Sequence, residues 1–144
     1  MTFESFLLSA EMRSDYIGTL ISYFEKKHIP EDYYLIKQGD SAEKLYFIES
    51  GLLDVFFELE TGQRIHLERV NTGIFVGEIG LLLKHPRSAS VMTKKSSVVY
   101  ELSLTNLNLM KQNSIEVYAE FEQMMIAFLA KRLLIANARF KRFL

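Results

Sequence analysis

With 144 residues, 49% of them hydrophobic and including 11 Phe and 7 Tyr, the chain is too rich in large apolar side chains to be disordered. It is long enough to bury one core and reads as a single domain over 1–144. A formal net charge of −1 argues against a general nucleic-acid binder, and no uninterrupted apolar run approaches the length of a bilayer span. The lack of Cys fits a cytoplasmic protein, and Glu4 interrupts the N-terminus before a secretory signal could form.

Residues 1–27 read as helical. Phe6, Leu7, Tyr16, Ile17, Leu20, Ile21 and Phe24 fall at the three- and four-residue steps of an apolar face, and Ser14 is placed to cap a second helical segment. From 28 to 102 the texture changes to short β-prone runs separated by turns. Tyr33 to Ile36 precedes Gln38-Gly39-Asp40, and Leu45 to Ile48 precedes Ser50-Gly51. Leu53, Val55, Phe57 and Leu59 alternate with Asp54, Phe56 and Glu58 on the opposite face, which predicts a strand. Glu60-Thr61-Gly62 turns the chain back, and Ile65 and Leu67 alternate with His66 and Glu68. Strands over 89–93 and 97–102 follow. Regular punctuation of this kind predicts a small sandwich or barrel. From 103 to 144 the period is helical, with Ser103 as an N-cap and a longer helix from Ser114. Val117, Phe121, Met124, Met125, Phe128, Leu129, Leu133, Ala136 and Phe140 form its apolar stripe.

The stretch with the clearest chemistry is IFVGEIGLLLKHPRSASV, from Ile74 to Val91. Gly77-Glu78 opens a short apolar run whose Ile79, Leu81, Leu82 and Leu83 are expected to pin it to a core. The first amides of such a helix have no helical partner and favour an anion. Arg87, in Pro86-Arg87-Ser88-Ala89-Ser90, offers a planar fork of donors that matches phosphate oxygens. Glu78 offers an acceptor pair suited to a sugar hydroxyl. Together they describe a receptor for a small ligand with both a hydroxyl and a phosphate.

On these residues, GEIGLLLKHPRSASV resembles the phosphate-binding cassette of cyclic nucleotide-binding domains. The resemblance extends over roughly 6–140, through Gly39-Asp40 and Leu45 to Gly51. It implies an α+β fold, an antiparallel β-roll (double-stranded β-helix or jelly roll) flanked by N-terminal and C-terminal helices, with a cassette at 75–91. It also implies that Glu78 binds the ribose 2′-hydroxyl and that Arg87 binds the cyclic phosphate. Ser88 Oγ and the N–H groups of Ile79 and Ala89 would assist, and Gly77 would admit the ribose. Two departures stand out: Val76 where an aromatic is commoner, and Gly80 where Ala or Ser is commoner. The implied ligand is cyclic AMP or cyclic GMP, with no cofactor and no metal. For the base-stacking partner, Phe128, Arg132 and Ile135 are all open.

His28, His66 and His85 lack metal-ligand spacing, and no nucleophile, His and acid trio is legible, so the chain reads as non-catalytic. The last helix has two readings. It packs on its own roll, or it serves as a lid or as a seam for a second copy in a homodimer. The cations Lys131, Arg132, Arg139, Lys141 and Arg142 complement the helix C-terminus rather than bind nucleic acid. The expected role is a regulatory sensor that passes binding on through its C-terminal helices. The wording YFIESG, GEIGLLL, PRSASV, VVYELS and RLLIANARF is similar to the cyclic nucleotide-binding domain at the C-terminus of some bacterial SulP-type anion transporters, which implies a fused or associated membrane transporter on whose cytoplasmic side the domain lies. The alternatives are a nucleotide-free dimerisation module and the sensor half of a Crp/Fnr-type regulator.

Overall fold

The structure is a computed structural model and describes residues 1–141; Arg142, one of the five tail cations, lies outside the described residues. Two short helices, α1 (Phe3–Ser9) and α2 (Ser14–Ser22), lead into eight strands: β1 (Glu25–Ile29), β2 (Tyr34–Ile36), β3 (Lys44–Ser50), β4 (Leu53–Glu58), β5 (Arg64–Val70), β6 (Ile74–Val76), β7 (Ser90–Thr93) and β8 (Ser97–Ser103). A short helix, α3 (Glu78–Leu83), separates β6 from β7, and α4 (Leu104–Asn113) and α5 (Ile115–Lys141) close the chain. The strands pair antiparallel in two sheets, ordered β1-β8-β3-β6 and β2-β7-β4-β5. This is the expected β-roll with helices at both ends.

Strand β3 shows why the roll holds together. Its run Leu45-Tyr46-Phe47-Ile48 is buried throughout, because each face meets a different core. Leu45 and Phe47 pack outward against the helices, with Phe3, Phe75 and Phe121. Tyr46 and Ile48 point into the roll, against Ile36, Leu53, Val76 and Val91. The helical layer therefore grips the same strand that lines the roll interior.

Two expectations are corrected. The N-terminal helix does not run to Lys27: α2 ends at Ser22, and Glu25-Lys26-Lys27 belong to β1. That strand pairs on one side only, with β8, and a charge-rich edge strand carries little apolar alternation to betray it. Ser14 is the first helical residue of α2, with Arg13 at the cap position, whereas Ser103 caps α4 as expected, its Oγ accepting from Asn106 N at 3.1 Å. On β4 the two faces alternate as expected, Leu53 and Val55 packing into the roll while Asp54 and Phe56 are buried on the other face and Phe57 and Leu59 are partly open. Phe56 lies beneath Arg64, whose guanidinium is 4.5 Å from the ring centre, and the buried Asp54 bonds His66 at 2.7 Å.

The first half of α5 is locked in place. Val117, Phe121, Met124 and Met125 are buried, and Tyr16 donates to Glu116 at 2.7 Å. Beyond Leu129 its apolar side chains, Leu133, Leu134, Ile135 and Phe140 among them, are exposed. The stripe predicted to continue to Phe140 is a packing face only as far as Leu129.

Candidate functional site

Gly77 begins the site. It takes the left-handed conformation, φ 81°, at the N-cap of α3, where a side chain would be strained. A Cβ there would also stand 2.8 Å from Arg87 Nη1, so the glycine makes room for the guanidinium. Gly80, one of the departures from the family pattern, has a similar reason: a Cβ would meet Ala42 Cβ at 2.7 Å and Arg87 Nη1 at 3.0 Å. Helix α3 is seated by this close approach and by Leu81 alone. Ile79, Leu82 and Leu83, expected to help pin it, are exposed.

Arg87 is 9% exposed and held from both ends. Its backbone is stitched to the Gly39-Asp40 turn, with Arg87 N donating to Asp40 O at 2.9 Å and Gly39 N donating to Arg87 O at 2.8 Å. Its guanidinium donates from Nη1 to Gly77 O at 2.8 Å and from Nη2 to Lys44 O. Burial lowers its pKa from the ordinary value, opposed by Tyr46, Glu78 and Asp40.

Glu78 is 2% exposed, and its carboxylate turns to the last helix. Arg132 Nη1 donates to Glu78 Oε1 at 2.7 Å, and the other arm of Arg132 stands 3.6 Å from Glu68 Oε1. Burial pushes the Glu78 carboxyl up, against the opposing pull of its own backbone bond and of the Arg132 and Arg87 charges. A buried acid facing two guanidinium groups is an acceptor pair held ready for a donor.

These groups surround one cavity of about 260 Å³. The structure brings all six sequence-predicted residues to its wall: Gly77, Glu78, Ile79, Arg87, Ser88 and Ala89. Ser88 is exposed and Ala89 half-buried. Ile36, Val55, Leu67, Glu68 and Arg132 also line the cavity. Val55, Leu67 and Glu68 went unassigned as site residues because their alternation reads as an ordinary strand. Arg132 had a legible signal. Phe121, Met125, Phe128 and Arg132 follow one another at steps of four, three and four, so a cation continues a buried helix face. Of the open base partners, Phe128 packs on the core and Ile135 is exposed, leaving Arg132 in the cavity wall.

The chain matches the profile of the cyclic nucleotide-binding domain family over residues 26–114. It is similar to the cAMP-activated global transcriptional regulator CRP of Escherichia coli, 33% identical over 106 residues, covering 73% of this chain and 49% of the relative. It is similar also to the type II regulatory subunit of cAMP-dependent protein kinase from Drosophila melanogaster, 36% identical over 84 residues, 58% of this chain and 20% of the relative. The chain thus spans about half the length, or less, of these curated relatives. Among solved structures, a cyclic nucleotide-binding domain from Methylobacillus flagellatus shares the fold at a TM-score of 0.87 and 19% identity, over 99% of this chain and 84% of that one. The regulatory domain of Toxoplasma gondii PKA, crystallised with cAMP, superposes at 0.66 with 27% identity, over 74% of this chain and 42% of that one. The roll, the cassette and the profile match agree, and the chain belongs to the cyclic nucleotide-binding domain family.

Proposed function

We propose that residues 1–144 form one non-catalytic sensor unit that binds a 3′,5′-cyclic nucleotide, cyclic AMP or cyclic GMP, in this cavity and reports it through α5. The observation that carries the reading is the 2.7 Å bond from Arg132 of α5 to Glu78. The acid that suits a ribose 2′-hydroxyl is the acid that tethers the output helix. Arg87 receives the cyclic phosphate: two of its five N–H donors serve Gly77 and Lys44, and others remain. Ser88 Oγ and the Ile79 and Ala89 amides complete the phosphate contacts, and Gly77 lets the ribose approach. In a water-poor cavity these charge-assisted bonds are stronger than in bulk. Ligand hydroxyl and Arg132 compete for Glu78, so binding loosens α5 to the extent that the ligand prefers the untethered state.

Calorimetric titration with cyclic AMP, cyclic GMP and the 2′-deoxy form of the tighter ligand tests this. Saturable binding that weakens about tenfold or more without the 2′-hydroxyl is expected, the worth of one hydrogen bond to a charged group. Absence of binding by either nucleotide would sink the sensor reading, and indifference to the 2′-hydroxyl would remove Glu78 from the ribose.

The exposed half of α5 supports a second element of the proposal, a homodimer. Ile126, Leu133 and Phe140 are each more than half exposed and recur every seven residues, with Leu129 and Ala136 at the intervening positions of a heptad seam. Sedimentation should show a dimer for the wild type and a monomer for Ile126→Glu/Leu133→Glu; a monomeric wild type would remove the seam. The regulated module lies beyond this cavity. The motif wording favours a fused or associated membrane transporter and so the cytoplasmic side of a membrane, with no nucleic-acid contact by this chain. Among the described residues no helix is long and apolar enough to cross a bilayer.

A further inference from the structure

Past the phosphate and ribose groups the cavity has a second wall, built by an irregularity in β5. Val55 pairs with Glu68 and Phe56 with His66, so Leu67 is an extra residue without a partner on β4. Regular alternation sends neighbouring strand residues to opposite faces. The bulge instead lets both Leu67 and Glu68 line the cavity. It places a carboxylate in the cavity wall, 3.6 Å from Arg132.

We infer that Glu68 reads the base of the bound nucleotide and selects guanine over adenine. The inference rests on the cyclic-nucleotide reading of the cavity. With the phosphate at Arg87 and the ribose at Glu78, the base is left to Val55, Leu67 and Glu68. Val55 and Leu67 are apolar and suit the face of a purine ring. Glu68 is charged and suits its edge. An ionised carboxylate only accepts, through two oxygens side by side. Guanine presents two adjacent donors, N1–H and the N2 amine, next to the O6 acceptor. Both Glu68 oxygens are then used, in two parallel bonds. Adenine presents one amine donor, N6, beside the N1 acceptor. Turned in the same way, it sets its N1 lone pair and C2–H against the two oxygens, and turned to offer N6 it satisfies one oxygen only. Side-chain forks that match two groups on one base edge discriminate well between bases.

The test is titration of the full chain with cyclic GMP, cyclic AMP and cyclic IMP, which lacks the N2 amine, using wild type, Glu68→Gln and Glu68→Ala. Wild type is expected to bind cyclic GMP roughly tenfold more tightly than cyclic AMP, with cyclic IMP between them. In Glu68→Ala the two nucleotides should fall within about threefold of each other, through loss of cyclic GMP affinity, and Glu68→Gln should lie between. The Glu68 side chain is 36% exposed, so these variants should melt near wild type. Equal or tighter binding of cyclic AMP by wild type, or a preference unchanged in Glu68→Ala, overturns the role of Glu68 and leaves the sensor reading standing. Failure of every nucleotide to bind overturns both.

Discussion

Arg87→Ala is expected to lower cyclic nucleotide affinity by on the order of 30- to several-thousand-fold, the 2–5 kcal/mol that truncating one partner of a desolvated charge pair costs. The same variant should also be less stable, because Arg87 is not a ligand group alone. Its guanidinium serves the Gly77 and Lys44 carbonyls, which join α3 to β3 from inside. Losing a charged donor to buried carbonyls costs about 1–3 kcal/mol, or several degrees of melting temperature for a domain of this size. Arg87→Lys separates the two roles. It keeps a cation for the phosphate and loses the planar fork, so it should bind measurably better than Arg87→Ala and remain less stable than wild type. Titration and thermal melts of the three proteins check this. Binding of Arg87→Ala within threefold of wild type would remove the phosphate from this residue.

Arg132→Ala is expected to release the outer half of α5 and to strand Glu78. Removing one partner of a fully buried pair typically costs 3–5 kcal/mol; the Arg132 side chain is 37% exposed, and screening by solvent reduces the expected loss to about 1–2 kcal/mol. Adding Glu78→Gln should recover most of it, since a neutral amide at that site needs no counter-charge. A coupling below about 0.5 kcal/mol in the double-mutant cycle would show that the two groups do not act together. Amide exchange supplies the second readout. Residues from 130 to 141 make little apolar contact, so without the tether their amides should exchange much faster while Val117 to Met125 stay protected. Nucleotide added to wild type should produce the same pattern, because the ligand and Arg132 use the same carboxylate. Protection in that segment unaffected by either change would mean that α5 carries no signal.

Features that depend on neighbours along the chain were legible in the amino-acid order. The cassette from Phe75 to Val91 was one, since Gly77, Glu78 and Arg87 stand at a spacing that one short helix and one turn bring together. The Ser103 cap was another, because a hydroxyl three residues before a free amide is a local geometry. The succession of strands was a third, since period-two runs punctuated by Gly report burial residue by residue. Strand β1 was not legible, because an edge strand of Glu25, Lys26 and Lys27 has no apolar alternation and forms only when β8 offers its free edge.

The sequence by itself determined the fold class, the cassette that walls one side of the cavity and the identities of Glu78 and Arg87. Tertiary structure alone decided what those charges bond to. Arg132 lies 54 residues from Glu78, and its place on an α5 face, legible from its spacing, does not say which acid it meets. It reaches the cavity because Phe121, Met125 and Phe128 fix the rotation of α5 against the roll. The bulge that admits Glu68 and the exposure of Leu82 and Leu83 are of the same kind. Periodicity tells which face of an element is apolar; which distant side chain completes a buried charge depends on how the elements are packed, and that is settled only by the assembled core.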